Sequence, residues 1–260
     1  MSRLTSTAIV LRTRPYGEAD LIVDLFTETH GRTVTIAKGA LKSKRRYMGV
    51  LEIGHILKVD YPIKSSLSVL GACDVLQGQW KIRHNLKAVQ QLYYILEICL
   101  IATPYEEKDQ SLFQSLIELI SALESEPGLL ELELLLWELR LLSHLGYHLK
   151  IDRCPFTGLA PDGLSYQAGG TISSRAGKPY WPVRTEALRV LYKLQNYEDL
   201  DYINDCFLTS NDESQLRQAF IGIWGEVSGR TLKSPRVFQQ LSISVLPLNL
   251  PPQPSAPLTL

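Results

Sequence analysis

Residues 38–47, KGALKSKRRY, carry five positive charges and no negative one. The window free of acid is wider, from Glu28 to Glu52, and holds Arg32, Lys38, Lys42, Lys44, Arg45 and Arg46. The chain as a whole balances 27 Lys+Arg against 27 Asp+Glu. The chemistry open to such a run is phosphate neutralisation, in which cationic side chains displace the counterions of a polyanion. The alternative for an isolated run of this size is a solvated loop.

Other spacings that could do chemistry fail on inspection. Gly177-Lys178 resembles the end of a phosphate loop, but Ile172 stands where the first Gly belongs and Pro179 replaces the magnesium-binding Ser/Thr. There is no GxSxG elbow and no HExxH. His144 and His148 are four apart, but Gly146 is expected to stop the helix between them, which favours surface or capping roles. Glu131 and Glu133 read as solvated charges on a leucine-rich helix. In 151–181, Cys154 and Thr157 are three apart, as are Ser173 and Ala176. A zinc knuckle needs CxxC twice, so one thiolate of four survives and no metal is expected. No cofactor is expected either. The aromatic residues Phe156, Tyr166 and Trp181 are expected to hold this loop by packing.

The elements that must position these residues fall into two halves. Residues 6–77 read as five short strands, TAIVLRTR, ADLIVDLFTE, RTVTIAKG, HILKVDYPI and LSVLGACDVL, with turn signals between them. The fold class expected is α+β: a five-stranded OB-fold barrel at 1–80, then an all-helical domain. An SH3-like barrel is the alternative. The basic run lies between the third and fourth strands. After Trp80 the period becomes helical, and helices are expected near 85–103, 111–125, 129–145, 185–194, 212–229 and 235–241. The helix near 129–145 carries leucine on nearly every face and should be the longest buried one. Thr185 is expected to cap the next. The helical domain spans 81–243, interrupted by 151–181, and the proline-rich tail 244–260 is expected to be disordered.

Residues 1–82 hold twelve Lys/Arg against seven Asp/Glu, an excess of five, so the remainder carries the opposite excess. Such asymmetry points to a polyanion partner for one half. No run of 18 apolar residues crosses a membrane. Four scattered cysteines suit reduced thiols in a cytosol.

The stretch AIVLRTRPYGEADLIVDLFTETHGRTVTIAKGALKSKRR resembles the N-terminal domain of the bacterial RecO family, with Tyr16-Gly17-Glu18, Thr27, Gly31 and Lys38-Gly39-Ala40 in that family's order. ELRLLSHLGYHLKIDRC resembles the entry to its zinc-knuckle region, where only Cys154 matches a ligand place. The resemblance covers about residues 5–240. It implies a recombination mediator of the RecF pathway, not an enzyme. Such a protein binds single- and double-stranded DNA and anneals complementary strands. It works with RecR and with single-stranded-DNA-binding protein, and it helps load RecA. It also implies a cytoplasmic, nucleoid-associated protein.

The residues agree with that implication, because annealing needs no bond chemistry but does need phosphate repulsion to be reduced. Lys42, Lys44, Arg45 and Arg46 are the first candidates for nucleic-acid contact, with Arg12, Arg14, Arg32 and Lys38 adjoining. Tyr47 could stack on a base or serve as a buried anchor. The competing reading is an adaptor whose basic loop docks acidic partner segments.

Overall fold

The computed structural model describes residues 3–62, 68–126, 131–196 and 207–241. The proline-rich tail lies outside them. Strands β1 (Arg3–Tyr16), β2 (Asp20–Thr27), β3 (Gly31–Ala37), β4 (Ile56–Pro62), β5 (Ser68–Val69) and β6 (Cys73–Gln77) form one sheet in the order β5-β3-β2-β1-β4-β6. The two ends of that order are one bent stretch of chain. Leu70 N–H donates to Ile36 on β3, while Gly71 N–H donates to Asp60 on β4. The sheet therefore closes on itself as the expected OB barrel, with its fifth strand bent into β5 and β6. Closure removes the open edge that a meander would leave.

Alternation along the strands explains the core. Ala8, Val10, Val23, Leu25, Ala37, Leu57, Val59 and Tyr61 point inward and are buried. The residues that alternate with them point out. A register shift between Val10 and Arg12 inserts one residue into β1, and beyond it Arg12, Arg14 and Tyr16 share the outer face.

Helices α1 (Leu86–Ala102) and α2 (Gln110–Ser125) follow. Their N-caps are Asn85, which accepts from Ala88 N–H, and Asp109, which accepts from Leu112 N–H. Contacts divide the chain into compact units at Met1–Leu129 and Leu130–Leu260. The barrel thus keeps α1 and α2 in its own compact unit, which runs past the change from strands to helices near residue 80. The reason is visible on the barrel's outer face. Phe26 is buried edge-on against Phe113 of α2, with ring centroids 5.5 Å apart.

The second unit contains α3 (Glu131–His144), α4 (Thr185–Asn196), α5 (Ser210–Ser228) and α6 (Lys233–Leu241). Buried leucines cover α3, as its sequence demands, but α1, α2 and α5 are longer. Gly146, at φ +85°, ends α3 by letting Tyr147 N–H reach Leu142 O. Thr185 is the first residue of α4 and its hydroxyl donates to Pro161 O, so it does not act as the expected cap.

Residues 151–181 are more ordered than a loop. Strands β7 (Gly163–Ser165), β8 (Gly170–Ile172) and β9 (Trp181–Pro182) form a small sheet in the order β8-β7-β9. Its packing comes from buried Ile151, Leu164, Ile172 and Val183. Trp181 packs against Gly222 of α5, where any Cβ would collide with the indole. Phe156 stays outside with Lys178 over its ring, so the expectation for that residue is corrected.

Candidate nucleic-acid interface

The connection between β3 and β4 begins at Gly39, in the left-handed region, and makes one 3-10 turn at Ala40–Lys42. It is pinned to the β1–β2 turn at both ends of that short step. Gly39 N–H and Lys38 Nζ each donate at 2.8 Å to the Asp20 carboxylate, and Leu41 N–H donates to Ala19 O. Lys38 and the Gly39 amide hold the Asp20 carboxyl below the usual carboxylate range. Further on, Ser43 Oγ accepts from the N–H groups of Arg46 and Tyr47. Tyr47 is the anchor of the connection. It is 4% exposed, and its hydroxyl donates to Leu70 O at 2.9 Å. Burial pushes its phenol pKa up. A ring so enclosed is not free to stack on a base.

The eight candidate cations sort by environment. Lys42, Lys44 and Arg45 are exposed, with no ion pair among the described residues. Arg46 is exposed but lies over the Tyr47 ring and donates to Leu70 O at 3.2 Å. Lys38 is paired to Asp20. Arg12 and Arg14 reach from β1 to Asp24 on β2, at 3.0 and 3.3 Å, and keep part of their side chains in solvent.

Arg32 differs from the others. It is 7% exposed and its guanidinium points into the unit. It donates to Asp24 Oδ1, to Leu100 O and Thr103 O at the end of α1, and to the Tyr105 hydroxyl. The Tyr105 ring stacks on it at 4.1 Å. A cation at a helix C-terminus satisfies its last carbonyls and complements its dipole. Arg32 therefore serves the fold, its guanidinium enclosed by these partners.

Asp24, fully buried, is the residue that sequence reasoning missed. It collects three arginines on one carboxylate, so the cluster keeps an excess of two positive charges, carried by the two exposed members. Pairing of Arg12 with Asp24 across β1 and β2 was the available signal. Thr27 and Gly31 also acquire a physical meaning. Thr27 Oγ1 accepts from His30 N–H and donates to Gly31 O, shaping the β2–β3 turn. Gly31 has φ +65°, and a Cβ there would sit 1.8 Å from Glu107 O. Only glycine lets the α1–α2 connection cross so close.

In the second unit, Cys154 is buried in the turn where the knuckle resemblance begins. Burial pushes its thiol up. Hydrogen bonds from the Thr157 side chain and from the backbone N–H groups of Ser173, Phe156 and Thr157 outweigh that, bringing it from 9.0 to about 7. Three of the four knuckle places thus converge with one sulfur among them. No group of three or more His, Cys, Asp or Glu that could hold a metal occurs among the described residues. His148 Nδ1 is hydrogen-bonded to Ser143 Oγ at 3.0 Å. Glu131 is not a solvated charge. With buried Glu138 it pairs Arg217 of α5, and Trp224 Nε1–H donates to Glu138 at 3.0 Å. No helix among the described residues is long and apolar enough to cross a membrane.

A small closed barrel with an exposed cationic connection, joined to a helical unit, defines the class: an α+β protein built on an OB barrel. Comparison supplies the family. Residues 1–79 match the model for the N-terminal domain of recombination protein O, and 83–236 match that for its C-terminal domain. The chain belongs to the RecO family. It is 32% identical to DNA repair protein RecO of Geobacter sulfurreducens over 197 residues, 74% of this chain and 81% of that one. It is 35% identical to DNA repair protein RecO of Acidithiobacillus ferrooxidans over 190 residues, 71% and 73% of the two chains. The match to DNA repair protein RecO of Exiguobacterium sibiricum is 28% over 240 residues, 90% and 95%.

Proposed function

We propose that this protein is a DNA repair and recombination mediator that binds single- and double-stranded DNA on the outer face of its barrel and anneals complementary strands. The observation that carries the reading is the exposed trio Lys42, Lys44 and Arg45, unpaired among the described residues, beside the net positive Asp24 cluster. In a chain of zero net charge, residues 1–82 carry an excess of five cations, and they build a fold suited to oligonucleotides. Arg46 and Lys38 flank the trio, each with a partner that a phosphate would have to share. Two strands brought to such a surface lose part of their mutual repulsion, and pairing follows without bond chemistry or a cofactor. Family membership supports action in the RecF pathway with RecR and single-stranded-DNA-binding protein, leading to RecA loading, in the cytoplasm at the nucleoid.

The test is binding of random-sequence oligonucleotides across a salt series, with annealing of complementary fluorescent strands measured alongside. Affinity that falls steeply with salt for every sequence, and annealing that tracks it, are expected. Salt-independent or absent binding would sink the reading. The second reading, an adaptor for acidic partner segments, is favoured by one feature: Leu41 and Met48 are exposed beside the cations, and apolar contacts suit a peptide. An acidic peptide that binds the loop while oligonucleotides do not would establish it.

A further inference from the structure

We propose that Tyr16 is the base-stacking residue of the cationic face, so that this face distinguishes single strands from duplex. The proposal rests on the nucleic-acid reading above and deepens it. Tyr16 ends β1 on the outer side, in line with Arg12 and Arg14 because alternate residues share a face. It pairs across the turn with Asp20, whose carboxylate holds Lys38 and the Gly39 amide. Ala19, in the same turn, accepts the Leu41 N–H. The tyrosine thus stands where the arginine strip of β1 meets the basic connection.

Its own state is what a platform requires. The ring is 53% exposed and makes no hydrogen bond or ring contact among the described residues. The neighbouring tyrosines are committed elsewhere: Tyr47 is buried under the connection, and Tyr105 is stacked on Arg32. A flat exposed ring between cations attracts a splayed-out base whatever its identity, since every base has a π-face. Within a duplex those faces are already covered by neighbouring pairs, so the ring adds affinity for single strands only.

The experiment compares the parent with Tyr16→Ala and Tyr16→Phe in the full chain. Each is titrated with a mixed-sequence single strand and with a blunt duplex at several salt concentrations. Tyr16→Ala is expected to weaken single-strand binding by at least about fivefold, the lower end for one stacked base. Duplex affinity and the salt slope should be unchanged, because no charge is removed. Tyr16→Phe should keep parental affinity. Irradiation of an iodouracil-substituted strand should crosslink to the peptide containing Tyr16, which a merely structural role would not produce. Equal loss for strand and duplex, no loss at all, or loss in Tyr16→Phe would each overturn the proposal while leaving the cationic face standing. A parent that binds no DNA would instead bring down the function, and this inference with it.

Discussion

Arg32→Ala separates a structural cation from a binding one. In the wild-type chain Arg32 compensates Asp24 Oδ1 and satisfies carbonyls of Leu100 and Thr103 at the end of α1. Removing it leaves a fully buried carboxylate supported only by Arg12 and Arg14, both on Oδ2. Breaking a buried pair from one side costs about 3–5 kcal/mol. The two remaining arginines place this case at the lower end, about 3 kcal/mol. Against a typical total of about 5–15 kcal/mol the loss is large. The assay is urea unfolding followed by circular dichroism, run beside the double variant Arg12→Ala/Arg14→Ala. That variant removes the two half-exposed arginines on Oδ2 and leaves Arg32 on Oδ1, so a smaller loss is expected than for Arg32→Ala. On single strands, however, it should flatten the logarithmic salt slope by about 1.4, two phosphates at about 0.7 apiece. Arg32→Ala should shift the unfolding midpoint strongly and leave the slope of the folded fraction alone. A variant with an unmoved midpoint and a slope flattened by about 0.7 would refute the assignment.

Four other outcomes are expected. Replacing Lys42, Lys44 and Arg45 together by Ala should flatten the single-strand slope by about 2, abolish annealing, and move stability by no more than about 0.5 kcal/mol. Gly31→Ala should cost at least about 2 kcal/mol, read by thermal unfolding, because the new methyl meets Glu107 O and the backbone sits at positive φ. Leu135→Asp or Leu139→Asp should unfold the second unit, seen as loss of helical circular dichroism, since both side chains are buried in α3. The Cys154 thiol should titrate near pH 7 by its ultraviolet thiolate absorbance. Its folded value lies below 9.0, so stability should rise from about pH 7 to pH 9 and fall as pH drops back through 7, a trend that Cys154→Ala removes.

The fold was readable in outline because its two halves have different periods. Alternation of the barrel strands and the leucine stripe of α3 both follow from which face is buried. The small sheet β8-β7-β9 was not readable. Its strands have two or three residues, too short to show a period, and Gly and Pro between them read as loop. That the first compact unit runs past the change of period has another cause. A change from strands to helices marks a change of local structure, whereas Phe26 against Phe113 is a long-range contact that no local pattern announces.

For the proposed site, a count of charges singled out a stretch but could not weigh its members. Arg32 and Arg45 are equivalent in composition. One is buried on a helix end and the other stands in solvent. What separates them is strand parity. Arg32 falls opposite Phe26 on the helix-covered part of the outer face, while Arg45 follows a turn that leaves the barrel. Aromatics divide the same way: the tyrosine inside the basic run is its anchor, and the exposed ring lies one strand away at Tyr16. Asp24 joins the two roles. It is held by Arg32 from the interior and holds Arg12 and Arg14 toward solvent, so the carboxylate that stabilises the barrel also aims its outer charges. An acid inside a cationic face would lower its charge if it stood alone. Buried among three arginines, it fixes their geometry and still leaves the surface positive.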